Sequence, residues 1–339
     1  MDSALRWGIM GVGNIARQFA GDVAGARRGR VTACGSRSGE KAKAFAAEFG
    51  VARAHGSYAK LLADGEVDAI YVALPNSMHM EWTLKSLEAG KHVLCEKPIA
   101  VNREESERMF DAAERAGLVL IEAFMYRSHP LTAAVLSTIA DGAIGRVTLV
   151  RTSFSYALKQ WEGNSRFSVE LAGGGLMDIG CYCINFSRMI AGSEPTAVHA
   201  AGHLHECGVD DLVAGTMEFA NDVLATFVCG MQTQTNNMAV VSGTAGYIEV
   251  PIPWKPPVEG AAYTVCRMTP PKADAGSGGP PPKPRETFTV DAPEPLYAME
   301  ADDFAATVLD GAAPRVTRAD TMENMRVLDE MRRQVGLPF

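Results

Sequence analysis

One turn constrains this chain more than any other. The apolar run Leu5-Arg6-Trp7-Gly8-Ile9-Met10 passes directly into Gly11-Val12-Gly13-Asn14-Ile15-Ala16, and a β-branched run over 30–35 follows before Ser36 and Arg37. The spacing predicts a strand, a Gly-x-Gly-x-x-Ala turn, a helix and a second strand. Gly11 allows the tight turn, Gly13 leaves room for a pyrophosphate, and Ala16 keeps the helix close to the strand. The first amides of the helix, from Asn14 and Ile15 onward, then face the phosphates. Glycine-rich turns also close ordinary βα units, but here the turn sits between two buried-strand patterns, and that context points to a dinucleotide.

The tip of the second strand bears on which dinucleotide. An NAD site places an acidic residue there for the ribose hydroxyls, whereas this strand ends in Ser36, Arg37 and Ser38, with Lys41 a turn later. A carboxylate would repel a 2′-phosphate, and a guanidinium with flanking hydroxyls would hold one. The expected cofactor is NADP, with NAD as the alternative. The competing reading is that Arg37 and Lys41 are solvated charges at a helix start.

At 339 residues and 47% hydrophobic, the chain is long enough for two domains with sizeable cores. A net charge of −8 with no basic block argues against nucleic acid or an anionic membrane as partner. The longest apolar runs, such as 69–74 and 118–121, are of strand length, and no signal peptide opens the chain, so a cytoplasmic location is expected. Seven scattered cysteines include no Cys-x-x-Cys, and His203-x-His205 lies in an alternating segment that reads as an exposed strand edge. No metal site is expected.

From residue 5 to about 124, strands near 5–11, 30–35, 68–74, 91–95 and 118–123 alternate with helices near 14–24, 39–49, 78–89 and 103–116. Such alternation builds a parallel sheet covered on both faces, with ligands at the carboxyl ends of its strands. The polar, proline-stiffened stretch Leu74-Pro75-Asn76-Ser77-x-His79 stands at one such end and suits a loop folding over a cofactor. After a helix near 130–140, the segments 146–156, 196–207, 211–220, 222–232, 237–243 and 246–250 read as successive strands, interrupted by one helix near 178–191. Short turns between sequential strands indicate a mainly antiparallel sheet. Residues 269–285 have nothing large to bury and read as a mobile surface loop, before closing helices near 296–310 and 319–335. The fold class is therefore α/β, with domains at 1–124 and 125–339; the last helices are free to pack back on the first domain.

Two clusters carry chemistry. Glu96-Lys97-Pro98 ends a strand at the ligand edge, so Lys97 is expected in the cleft with a pKa lowered by desolvation and a nearby pyridinium. In Gly173-Gly174-Gly175-Leu176-Met177-Asp178-Ile179-Gly180-Cys181-Tyr182, a helix starting at Asp178 would put Asp178 and Tyr182 on one face, while the three glycines would let the backbone approach a ligand. The alternative is that Asp178 is only a helix cap and Tyr182 only core.

These motifs together resemble the glucose-fructose oxidoreductase/inositol dehydrogenase (Gfo/Idh/MocA) family over essentially the whole chain. Glu122-Ala123-Phe124-Met125-Tyr126-Arg127-x-His129-Pro130, Gly208-Val209-Asp210-Asp211 and Val241-Ser242-Gly243-Thr244-x-Gly246 are similar to its dimeric dihydrodiol dehydrogenase and NADP-dependent D-xylose dehydrogenase branch. The resemblance implies an N-terminal Rossmann fold, a C-terminal α/β domain on a large open sheet, and a homo-oligomer, dimer or tetramer, paired through that sheet. It also implies that Lys97 is catalytic, with a cis Lys97-Pro98 peptide as one possibility, and that Trp161 and Arg166 lie near nicotinamide and substrate. Many members carry histidine where this chain has Tyr182, which argues against an inositol dehydrogenase.

The expected reaction is hydride transfer between the carbinol carbon of a sugar or cyclic diol and NADP. Tyr182 would be the general base and Lys97 would bond the same oxygen, stabilising an alkoxide and lowering the tyrosine pKa, while Asp178 orients the substrate; the alternative is that Lys97 exchanges the proton. The competing readings are an inactive nucleotide-binding sensor, and a reductase of a non-sugar ketone on the same fold.

Overall fold

The computed structural model describes residues 4–267 and 285–337. The first domain runs β1 (Leu5–Met10), α1 (Asn14–Val23), β2 (Gly29–Gly35), α2 (Gly39–Phe49), β3 (Arg53–His55) and α3 (Tyr58–Leu62). It continues with β4 (Ala69–Val72), α4 (His79–Glu88), β5 (His92–Glu96), α5 (Arg103–Ala116) and β6 (Leu120–Ala123). The six strands are parallel in the order β3-β2-β1-β4-β5-β6, a doubly wound sheet in which β1 pairs with both β2 and β4. The β4 run Ala69-Ile70-Tyr71-Val72 is buried throughout, as a strand covered on both faces must be. Turning at β1, where the strand order reverses, puts the ligand crevice beside the Gly11–Gly13 turn.

The second part contains α6 (Pro130–Ala140), β7 (Val147–Ser155), α7 (Cys181–Ala191), β8 (Pro195–Leu204), β9 (Asp210–Phe219) and β10 (Leu224–Gly230). It ends with β11 (Ala239–Gly243), β12 (Gly246–Val250), β13 (Ala261–Arg267), β14 (Arg285–Val290), α8 (Leu296–Asp310) and α9 (Arg318–Gln334). Eight strands form one sheet in the order β14-β13-β12-β11-β7-β10-β9-β8, antiparallel except for the β7/β10 pair. In β9, Val213, Met217 and Phe219 point into the core, whereas Ala214, Thr216 and Glu218 stand exposed on the other face. Helix α7 covers the inner face and is buried along nearly its whole length.

The last two helices return to the first domain. The Asp302 carboxylate on α8 accepts from the Arg27 and Arg28 amides at 3.0 and 2.8 Å, and Arg318 at the start of α9 donates to Asp111 on α5 at 2.6 Å. The expected 269–285 loop falls, except for Arg285, outside the described residues. Four elements were not read from the sequence: β3, α3, β13 and β14.

Candidate active site

A cleft of about 750 Å³ opens at the carboxyl ends of the parallel strands. Gly13, Asn14, Ile15, Leu74, Pro75, Asn76, Glu96 and Lys97 line it from the first domain; Phe154, Tyr156, Arg166, Asp178, Tyr182, Lys255 and Tyr297 line it from the rest of the chain. Its size suits a cofactor and a small substrate. The turn at its floor is tight because Gly11 sits at φ +98°, where a Cβ would come within 2.4 Å of the Ala73 carbonyl oxygen. Gly13, by contrast, has no protein atom within 4 Å of where a Cβ would stand, and no side chain caps α1. Open space above uncapped helix amides fits a pyrophosphate.

Lys97 and Asp178 form the polar centre of the cleft. The Lys97 Nζ donates to the Asp178 backbone oxygen at 2.5 Å and to Oδ1 at 3.3 Å, and the Arg166 Nε donates to Oδ2 at 2.8 Å. The Tyr156 hydroxyl also donates to Oδ2. Burial alone would raise the Asp178 carboxyl, but Lys97 and Arg166 outweigh it and hold the acid far below the usual carboxylate range. The expectation for Lys97 is corrected in sign: burial disfavours its charge, yet the carboxylate of Asp178 keeps the ammonium above the ordinary lysine value. Asp178 is no helix cap either. It lies within a single π-helical turn, Leu176–Gly180, that leads into α7, and its carboxylate is spent on three donors.

Tyr182 is 4% exposed, ringed edge-on by Phe124, Phe154 and Trp254. Its face carries the Lys97 ammonium 5.0 Å from the ring centroid, and its hydroxyl donates to Met125 Sδ at 3.3 Å. A thioether is a weak acceptor, so the phenol proton has no strong partner in the protein. Burial lifts the Tyr182 pKa well above the ordinary tyrosine value, the reverse of the expected lowering by Lys97.

Behind Lys97 the backbone is pinned from several sides. Lys97-Pro98 is a cis peptide. The Lys97 amide donates to Glu96 Oε2 at 3.2 Å, the Tyr71 hydroxyl to Glu96 Oε1, and the Ile99 amide to Glu122 Oε1 at 3.0 Å. Glu122 also accepts from Thr321 of α9 at 2.8 Å, and burial pushes its carboxyl up to about 7. His79 belongs to this support and not to the cofactor surface. It is fully buried, with ring nitrogens 2.9 Å from the Pro98 carbonyl and 2.8 Å from the Leu74 carbonyl. The polar look of its loop concealed that α4 starts at His79 and turns the ring inward.

Of the other expected residues, Arg166 reaches the cleft and Trp161 does not line it. The indole packs on His205 and Phe167 instead, at ring-centroid distances of 4.7 and 6.2 Å. Ser36, Arg37 and Lys41 stand at the β2 tip, beyond the lining residues; Ser36 Oγ accepts from the Ser38 amide and Ser38 caps α2 through the Lys41 amide. Asn76 spends its side-chain amide on the Ala172 carbonyl at 2.8 Å. Phe154, Tyr156, Lys255 and Tyr297 were missed. Phe154 and Tyr156 carried a joint signal: two aromatic residues at i and i+2, on one face at the end of a strand.

The glycine triplet also serves a different purpose from the one expected. Gly174 sits at φ +116°, and a Cβ there would lie 2.1 Å from Asp210 Oδ1, so the glycine admits a buried carboxylate of the protein itself. Asp210 in turn accepts from the Leu176 amide at 2.6 Å and so fixes the turn that holds Asp178; burial pushes its carboxyl up to about 6. Gly174→Ala combines backbone strain of about 1–3 kcal/mol with displacement of that carboxylate. It should lower the melting temperature by roughly 2–4 °C for each kcal/mol lost. An unchanged melting curve in differential scanning calorimetry would refute this role.

A dinucleotide cradle and a lysine-carboxylate-phenol group facing one another across a single cleft define an NAD(P)-dependent oxidoreductase. Residues 5–124 match the oxidoreductase family with NAD-binding Rossmann fold, and residues 132–249 match the GFO/IDH/MocA C-terminal domain. The chain belongs to the GFO/IDH/MocA family. It is 32% identical over 325 residues to D-xylose 1-dehydrogenase (NADP(+)) 2 of Haloferax volcanii, covering 96% of this chain and 95% of that protein. It is 36% identical over 256 residues to the trans-1,2-dihydrobenzene-1,2-diol dehydrogenase of Mus musculus, covering 75% and 76%. Among solved structures it resembles a 3-ketoreductase from Actinomadura kijaniata in complex with NADP and TDP-benzene, with a TM-score of 0.86 at 30% identity over 98% of each chain. An aldose-aldose oxidoreductase from Caulobacter crescentus, complexed with glycerol, superposes with a TM-score of 0.85 at 28% identity, over 98% of this chain and 97% of that one. Among the described residues no helix is long and apolar enough to cross a membrane, and no group of three or more His, Cys, Asp or Glu could hold a metal ion.

Proposed function

We propose that the chain interconverts a carbinol and a carbonyl carbon in a sugar or cyclic diol, D-xylose-like or of the trans-dihydrodiol kind, with NADP. The observation that carries this reading is the half-buried Lys97-Asp178 pair against the face of Tyr182, opposite the open cradle at Gly13. When bound, NADP supplies the hydride acceptor or donor. Lys97, kept charged by Asp178, donates a hydrogen bond to the reacting oxygen and stabilises negative charge on it. The Tyr182 phenol, whose proton has only a thioether to engage, gives that proton to the oxygen when a carbonyl is reduced and takes it back when the alcohol is oxidised. Arg166 and Tyr156 hold the Asp178 carboxylate in place. The names of the xylose and dihydrodiol dehydrogenases support the substrate class.

The test is nicotinamide absorbance with the purified chain and a panel of pentoses, hexoses and trans-dihydrodiols. Tight NADP binding with no turnover on any of them would favour a sensor. Cofactor choice we assign to Ser36 and Arg37. Arg37→Ala should weaken NADP binding by about tenfold to a hundredfold, the loss of a charge-assisted contact worth roughly 1.5–3 kcal/mol, and leave NAD binding alone. Equal effects on the two would refute a 2′-phosphate contact. We also propose that copies pair through the exposed face of the eight-stranded sheet, which light scattering on the purified protein tests.

A further inference from the structure

Three cations line the cleft. Lys97 and Arg166 both bond Asp178, whereas Lys255 pairs with no carboxylate among the described residues. Its hydrogen bond reaches the first domain at an exposed position, from Nζ to the neutral Oε1 of Gln18 on α1 at 3.2 Å. Gln18 lies one turn beyond Asn14, and long helix side chains lean back toward the N-terminus, so this contact brings the ammonium toward the same first turn that Gly13 leaves open.

The placement is built. Trp254, just before the lysine, is 3% exposed and anchored by its Nε1 donating to the Ser153 carbonyl at 2.9 Å. Pro256 and Pro257 follow, and the Pro257 carbonyl lies 3.2 Å from the His129 Nε2. A lysine between a buried indole and two prolines has little backbone freedom. Lys255 is exposed at the rim of the cleft, where partial desolvation and the like charge of Lys97 push its pKa down, with the carboxylates of Glu96 and Asp178 working the other way. An anion held directly by the ammonium would outweigh the like charges of Lys97 and Arg166; the neutral Gln18 amide adds no charge.

We propose that Lys255 is a clasp for the diphosphate of the dinucleotide, exchanging the Gln18 amide for a diphosphate oxygen and so tying the second domain to the first through the ligand. This rests on the reading that the cleft takes NADP. The diphosphate is favoured over an acidic substrate because the ammonium is bonded to α1, the helix whose amides form the phosphate cradle, and not to the Lys97-Asp178 centre.

Calorimetric titration of Lys255→Met, Lys255→Arg and the unchanged protein with three probes tests it. The probes are NADP⁺, ADP-ribose 2′-phosphate, which keeps the diphosphate without the nicotinamide, and adenosine 2′-monophosphate, which lacks the diphosphate. Lys255→Met should weaken the first two by about tenfold or more and leave the third unchanged, with Lys255→Arg close to the parent. The loss should shrink as salt is raised. Binding of both diphosphates within twofold of the parent would overturn the clasp while leaving the oxidoreductase reading intact. So would a Lys255→Met effect confined to the KM of an acidic substrate. Failure of the unchanged protein to bind NADP⁺ would overturn both.

Discussion

Tyr182→Phe should lower turnover by about 10²–10⁴-fold while leaving NADP affinity near that of the unchanged protein. The substitution keeps the ring, and with it the packing against Phe124, Phe154 and Trp254 and the face over which the Lys97 ammonium lies. It removes only a hydroxyl whose partner in the protein is the Met125 thioether, so the fold loses little. Lys97→Met should also lower turnover strongly. If the two groups act on one oxygen, the double variant should lose much less than the product of the single losses, because groups acting as a unit are non-additive. Near-parental turnover in Tyr182→Phe, measured at saturating substrate, would remove the phenol from proton transfer and leave Lys97 or a water.

The first domain was legible because its physics is local. Strands buried on both faces are continuous apolar runs, and the turn at Gly11 needs a positive φ that only glycine adopts freely. Its misses were β3 and α3, a three-residue strand at the sheet edge and a five-residue helix, both too short to show a period. The second sheet was legible as strands but not as an order. That β7 pairs parallel with β10 between antiparallel neighbours is a long-range arrangement that no local pattern encodes. Strand β14 reads Arg-Glu-Thr-Phe-Thr-Val and is largely exposed, so it showed no buried face.

At the site, residue identities were more legible than their geometry. Lys97, Asp178 and Tyr182 line one cleft, yet their charge and placement are set by neighbours elsewhere in the chain: Arg166 and Tyr156 on the carboxylate, Glu122 and His79 on the backbone behind the cis peptide. The expected drop in the Lys97 pKa considered desolvation and a cofactor charge, and omitted the aspartate 81 residues away that reverses it. Trp161 is the residue whose expected place the cleft does not show. The family resemblance implied a place for it beside the nicotinamide, but in this chain the indole packs on Phe167 and His205.

Asp178→Asn separates the part played by charge from the part played by shape. The amide can still accept from Arg166 and from Tyr156, so the turn should hold and the melting temperature should change modestly. What vanishes is the negative charge that outweighs burial at Lys97. Without it, desolvation and Arg166 both work against the ammonium, so the Lys97 pKa should fall from above the ordinary lysine value to below it. The sign for activity follows. Lys97 in the unchanged protein stays charged through neutral and moderately basic pH, so no loss of rate there comes from its titration; in the variant the rate should decline as pH rises through the lowered pKa. At neutral pH the weakened donor should cost turnover about 10²-fold, and lowering the pH should restore part of it. The measurement is kcat against pH for both proteins. A uniform loss at every pH, with no shift of the basic limb, would show that Asp178 contacts substrate directly and does not act by keeping Lys97 charged.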